Sequence, residues 1–159
     1  MLPILSGRPV RVEVRPDLGP YHAATSIPKR LILLDAGVLR DKLEFDRILV
    51  HELFHFVWVR LSNATRRDWE RHLAKEIASK AFGELGWSAE SRKNQLRRAD
   101  VQARTVRWRR YVCESFCDSA AYLHAELGRH SEWTLPAAFR RKRAAWFRAQ
   151  FLPGSPVRF

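Results

Sequence analysis

Apolar and charged residues alternate from Val10 to Val14, with Val10, Val12 and Val14 set against Arg11 and Glu13. A period of two predicts a short strand with one buried face. Pro16, Gly19 and Pro20 then punctuate a loop. Ile27 and the run Leu31 to Leu34 predict a second strand, entered after Pro28 and ended near Asp35 and Gly37. Beyond it the period becomes helical. Phe45, Ile48, Leu49, Leu53, Phe56 and Val57 recur at the spacing of one helix over residues 42–61. Asp41 with Glu44 three residues on marks its start as a capping box. Asn63 and Thr65 end that helix or begin a short connection.

A further helix is predicted over residues 67–82, with Trp69, Leu73, Ile77 and Phe82 on its apolar stripe. Gly83 and Gly86 break the pattern. Residues 89–127 read as a long helical stretch in one or two pieces. It is polar from Arg92 to Arg98 and apolar enough for burial from Tyr111 on, and Gly128 provides its C-cap. The last helix begins near Thr134 with Pro136 in its first turn. Leu135, Ala138, Phe139, Trp146 and Phe147 form its apolar side, with Arg140, Arg141, Lys142, Arg143 and Arg148 mostly opposite. The tail, residues 152–159, is expected to lack regular structure. The pattern as a whole predicts an α+β chain, mostly α, with a small N-terminal β-sheet packed on helices.

Chemistry enters at His51-Glu-Leu-Phe-His55, an H-E-x-x-H sequence inside the first amphipathic helix. Residues four apart lie about 40° apart around a helix axis, so both imidazoles can reach one ion. Neutral imidazole is a good zinc ligand. Glu52 stands beside the ion, placed to take a proton from an activated water. A catalytic zinc site ordinarily has three protein ligands, and the third is not in the adjoining sequence. Residues 59–63 hold neither Gly nor His, so the metzincin extension is absent. Downstream, Glu114-Ser-Phe-Cys-Asp118 puts two carboxylates four residues apart among Tyr111, Val112, Phe116, Ala120, Ala121 and Leu123. Glu70, Glu76, Glu84, Glu90, Glu126 and Glu132 have no acidic residue four positions on. Buried carboxylates need a partner, and a metal supplies one. Glu114 is thus the candidate third ligand, and Asp118 the acceptor that orients a ligand histidine.

This pair of motifs resembles the gluzincins, the thermolysin-like metallopeptidases, which carry H-E-x-x-H on one helix and E-x-x-x-D on a later one. The resemblance implies a zincin-like domain over residues 1–159, reduced to a sheet, an active-site helix and a glutamate helix, with residues 66–110 as a helical insertion. It implies that Zn2+ is held by His51, His55 and Glu114, that Glu52 is the general base, and that Asp118 supports a ligand. It further implies a rim strand on which substrate backbone pairs, a role that falls on Arg30, Leu31, Ile32, Leu33 and Leu34. An oxyanion-stabilising side chain is also expected, with Tyr111, Tyr122, His124 and His130 as candidates. His22 and His72 read as structural or solvated. The short tail ending in Phe159 suggests a segment lying in the cleft and keeping the enzyme latent.

Length and composition narrow the setting. The 159 residues and 18.6 kDa suit one domain, and 46% hydrophobic with 29% charged residues is globular rather than disordered. Lys plus Arg number 29 against 17 Asp plus Glu, a formal charge of +12. Such a surface attracts polyanions, or simply keeps a small protein soluble. The Arg-rich stretches 92–110 and 140–143 therefore add a DNA-associated or regulatory protease to the readings, beside an inactive metal-binding scaffold. Cys113 and Cys117 fall in one helix and imply no disulfide framework, which agrees with a reducing cytoplasm. The N-terminal stretch is broken by Pro3 and lacks the shape of a signal peptide. No run approaches the roughly 18 apolar residues of a membrane span. The expectation is a cytoplasmic zinc peptidase acting on peptide or protein substrates.

Overall fold

A strand that is apolar at consecutive positions fits the middle of a sheet, and Leu31–Asp35 occupies that place. The computed structural model describes residues 4–151 and 157–159. In chain order, β1 (Leu5–Ser6), β2 (Arg11–Arg15), β3 (Ala23–Ser26) and β4 (Leu31–Asp35) lead through a 3-10 turn at Ala36–Arg40 into α1 (Lys42–Arg60). Then come α2 (Asn63–Ala78), α3 (Trp87–Lys93), α4 (Arg98–Gln102), α5 (Val106–His124), α6 (Ala137–Gln150) and β5 (Val157–Arg158). The fold is α+β and mostly helical, with a small N-terminal sheet. No helix among the described residues is long and apolar enough to cross a membrane.

The sheet order is β2-β4-β3, with β4 parallel to β2 and antiparallel to β3. Ile32 and Leu34 of β4 are fully buried against Val38, Ile48 and Phe56. The expected rim role of residues 30–34 therefore fails, because β4 is hydrogen-bonded on both sides. The edge strand beside α1 is β3, whose sequence carries no strand pattern of its own. The expected buried face of the first strand is also absent: Val12 and Val14 are exposed on β2, an edge strand.

Asp41 caps α1 by accepting from the backbone N–H groups of Leu43 and Glu44. Helix α1 is buried on two sides. Ile48 and Phe56 meet the sheet, while Val50, Phe54 and Val57 meet the main core. That core gathers Trp69, Phe116, Trp146 and Phe147 around α5. Small residues on α5, among them Ser115, Cys117, Ser119, Ala120 and Ala121, leave room for close helix packing, and all five are buried.

Residues 89–127 form three helices, not one or two. Arg104, in the left-handed region at φ 49°, turns the chain between α4 and α5. Arg143 departs from the polar face expected of α6 and is fully buried. Its guanidinium donates to both oxygens of Glu76, at 2.6 Å to Oε2 and 3.2 Å to Oε1, and to both oxygens of Glu84, at 2.7 and 3.1 Å. The last described residues also differ from expectation. Val157–Arg158 pairs in parallel with Leu5–Ser6, and Phe159 packs near Phe56 under the Arg30 guanidinium. Residues 157–159 thus lie at the far end of α1 and do not line the cleft described below. The rest of the expected tail, residues 152–156, is outside the described residues.

Candidate metal centre

Helices α1 and α5 pack so that the H-E-x-x-H turn faces the E-x-x-x-D turn. His51 Nε2 lies 3.3 Å from Glu114 Oε2, and His55 Nε2 lies 4.0 Å from that same oxygen. Ligand atoms about 2.0–2.1 Å from one tetrahedral ion stand roughly 3.3 Å apart, so these separations suit a shared cation. Behind them His51 Nδ1 donates to Asp118 Oδ1 at 2.7 Å. That bond commits the Nδ1 proton and leaves the Nε2 lone pair directed at Glu114.

Burial alone would lower the pKa of His51. The charge and hydrogen bond of Asp118, with that of Glu114, instead raise it well above the ordinary histidine value. Burial would raise the pKa of Glu114, yet His51, His55 and Arg92 hold it below the usual carboxylate range. The α5 carboxylates thus favour positive charge at His51, and the two histidines with Arg92 favour the charged form of Glu114.

A second donor set overlaps the first. His51, His55 and Cys117 offer ligand atoms all within 4.8 Å of one another. Cys113 and Cys117 each place sulfur 3.5 Å from His55 Nδ1, the nitrogen opposite Nε2. The two free thiols are unequal. The Cys117 hydrogen bond, helped by His55, draws Cys113 down to about 6, whereas burial and Cys113 push Cys117 well up. His55 turns Nε2 toward Glu114 and the opposite nitrogen, Nδ1, toward the sulfurs, so a centre that uses Nε2 with Glu114 leaves the thiols beside Nδ1. The sulfurs then act as acceptors for His55 Nδ1–H, as Asp118 does for His51.

Glu52 is buried on the cleft side of α1, and its Oε2 accepts from Thr25 Oγ1 of β3 at 2.5 Å. No cation pairs with Glu52 among the described residues. A cleft of about 350 Å3 opens beside it. His51, Glu52 and Asp118 line it together with His22, Ala23 of β3 and Trp87. Arg47 lines the floor. Its charge is satisfied by Glu44 at 2.9 Å and Glu132 at 3.2 Å, and Glu132 also accepts from the Trp87 backbone N–H.

None of the four oxyanion candidates lines this cleft. Tyr111 is buried in the Arg143 network and donates to Glu84 at 2.6 Å. Tyr122 packs edge-on against Trp133, and His124 stacks on Phe54. His130 lies 3.1 Å from Glu44, the carboxylate that also accepts from Arg47. His22, read from the sequence as structural or solvated, does line the cleft.

Residues 66–110, expected as a helical insertion, reach the site through α3 and the turn before it. The Ala89 backbone N–H donates to Asp118 Oδ2 at 3.0 Å, and Arg92 reaches Glu114 Oε1 at 3.1 Å. Gly86 sits against the Asp118 carboxylate. A Cβ built there would lie 2.3 Å from Cγ and 2.4 and 2.5 Å from the two oxygens. Its φ of −175° is open to any residue, so space alone demands glycine. Gly86→Ala is therefore expected to push Asp118 off His51 and weaken zinc affinity about 10–100-fold. Competition with a chromophoric chelator measures this, and an unchanged affinity would remove Asp118 from the support of His51.

No family model, curated protein or solved structure matches this chain.

Proposed function

We propose that this protein is a zinc-dependent peptidase of gluzincin type. The observation that carries this reading is the approach of two imidazole Nε2 atoms to one Glu114 oxygen, with His51 and Glu52, a carboxylate lacking an ion-pair partner among the described residues, lining one cleft. His51, His55 and Glu114 would hold the ion. Zinc held there would supply Lewis acidity, able to polarise a carbonyl and to make a water acidic near neutral pH. Glu52 accepts the proton of the attacking water and returns it to the leaving amine. Thr25 fixes the Glu52 carboxylate by donating to Oε2, leaving Oε1 for the water. Asp118 holds the His51 tautomer throughout. The unpaired edge of β3, Ala23–Ser26, takes the substrate backbone as an added strand, the role that β4 cannot fill. Two free thiols beside the centre support a reducing cytoplasm as its setting.

The test is to load the protein with zinc, incubate it with a diverse peptide library and read new termini by mass spectrometry. Defined cleavage sites are expected with zinc and none after chelation. Glu114→Ala is expected to lose both zinc and cleavage. Stoichiometric zinc with no cleavage of any peptide would leave a metal-binding scaffold and overturn the peptidase reading.

A further inference from the structure

A second concavity lies away from the metal centre, between α2 and the α3–α4 segment, with a volume of about 670 Å3. Ala74, Ile77, Leu96 and Val101 form its floor. Each packs one face against the main core and leaves the other toward the groove. Lys80, Arg97 and Arg98 stand exposed on its rim, and no ion pair is formed by any of the three among the described residues. No carboxylate lines this stretch. The groove continues past Ala74 and Val101 toward Arg67 and Arg71. Glu70, the acidic side chain there, is already held by Arg104 through bonds of 2.6 and 2.8 Å. From Arg67 to Ala78 along α2 the trench runs roughly 17 Å, about three helical turns.

We infer that this groove docks an amphipathic acidic helix of a partner or substrate protein. The floor offers an apolar strip matching side chains at i, i+3/i+4 and i+7. The rim offers exposed cations, Lys80, Arg98 and Arg97 (the last also near Asp100), to the Asp and Glu residues flanking that strip. A polynucleotide fits less well, because the floor presents aliphatic side chains and no exposed aromatic ring for base stacking. The inference stands independently of the zinc chemistry. It reaches the metal centre through α3, whose Arg92 touches Glu114 and whose Lys93 lines the groove.

The experiment uses the full chain and three fluorescent probes read by anisotropy. The first is a peptide of roughly 18 residues, about five turns, with Leu on one helical face and Glu elsewhere. The second has the same composition scrambled so that no face is apolar, and the third is a DNA oligonucleotide of matching charge. Mass spectrometry afterwards confirms that the peptide probes are intact. The patterned peptide is expected to bind at least about tenfold more tightly than the scrambled one. That preference is expected to vanish in Arg97→Glu/Arg98→Glu and in Ala78→Trp, which fills the groove from an exposed position. Circular dichroism melting establishes that both variants fold. Equal binding of the scrambled peptide would reduce the groove to a charge effect and overturn the inference. So would DNA binding that is lost on charge reversal but survives Ala78→Trp, or no binding of the patterned peptide at roughly 100 μM.

Discussion

Glu52→Gln is expected to keep zinc and lose peptide hydrolysis by about 10²–10⁴-fold in kcat. The substitution preserves shape. A glutamine carbonyl still accepts from Thr25 Oγ1, so the strand-to-helix contact and the position of the side chain survive. The amide cannot take a proton, and removal of a general base costs the factor given. Zinc affinity is expected to stay within a few-fold, because Glu52 belongs to neither donor set. Steady-state kinetics and metal analysis on the same sample check the two halves together. A Glu52→Gln variant that cleaves at the wild-type rate would move the proton transfer to another group, and among the cleft residues His22 would be the next to test.

Arg143→Met is expected to destabilise the fold by about 3–5 kcal/mol, a drop in Tm of roughly 6–20 °C. Arg143 bridges Glu76 of α2 and Glu84 of the following loop, while Tyr111 and Ser119 of α5 bond to the same cluster. Losing the guanidinium would leave the buried carboxylates with fewer partners, Lys93 and the Tyr111 hydroxyl at Glu84 and His72 at Glu76. The pH dependence carries a sign that distinguishes this network from ordinary packing. Burial would raise the pKa of both Glu76 and Glu84, yet His72 and Arg143 hold Glu76, and Arg143 with Lys93 and Tyr111 holds Glu84, below the usual glutamate value. Their contribution is thus fully present above the unfolded value of about 4.3 and is lost as pH falls below it toward the lowered folded values. In the Arg143→Met variant the remaining carboxylates favour protonation, so its stability is expected to rise as pH falls from 7 toward 5. Adding Glu76→Gln and Glu84→Gln to Arg143→Met is expected to recover part of the loss. Melting curves across that range decide it, and a variant within about 1 kcal/mol of wild type would show that the network contributes little net stability.

How much of the fold and site is legible in the sequence differs from element to element. H-E-x-x-H and E-x-x-x-D each occupy one helical turn, so local spacing fixes which side chains share a face. The helices they predict are those observed, and His51, His55, Glu114 and Asp118 come together. Strand order is a non-local property, and there the expectation and the structure part. The run Leu31 to Leu34 is itself a clue to a central strand, because four successive apolar residues suit a strand covered on both sides. The polar Ala-Ala-Thr-Ser segment at the edge has no comparable pattern. Arg143 departs from its expected place because helical periodicity counts a charge as surface, and only the distant Glu76 and Glu84 make its burial tolerable. Gly86 reads as a helix breaker. Its contact with Asp118, 32 positions along the chain, depends on tertiary packing that spacing rules do not reach.

X-ray absorption at the zinc K-edge of the stoichiometrically loaded protein tests the ligand set directly. If His51, His55 and Glu114 hold the ion, the spectrum shows nitrogen and oxygen neighbours at about 2.0–2.1 Å and no sulfur. A sulfur neighbour at about 2.3 Å would place Cys117 on the metal and contradict the assignment of Glu114.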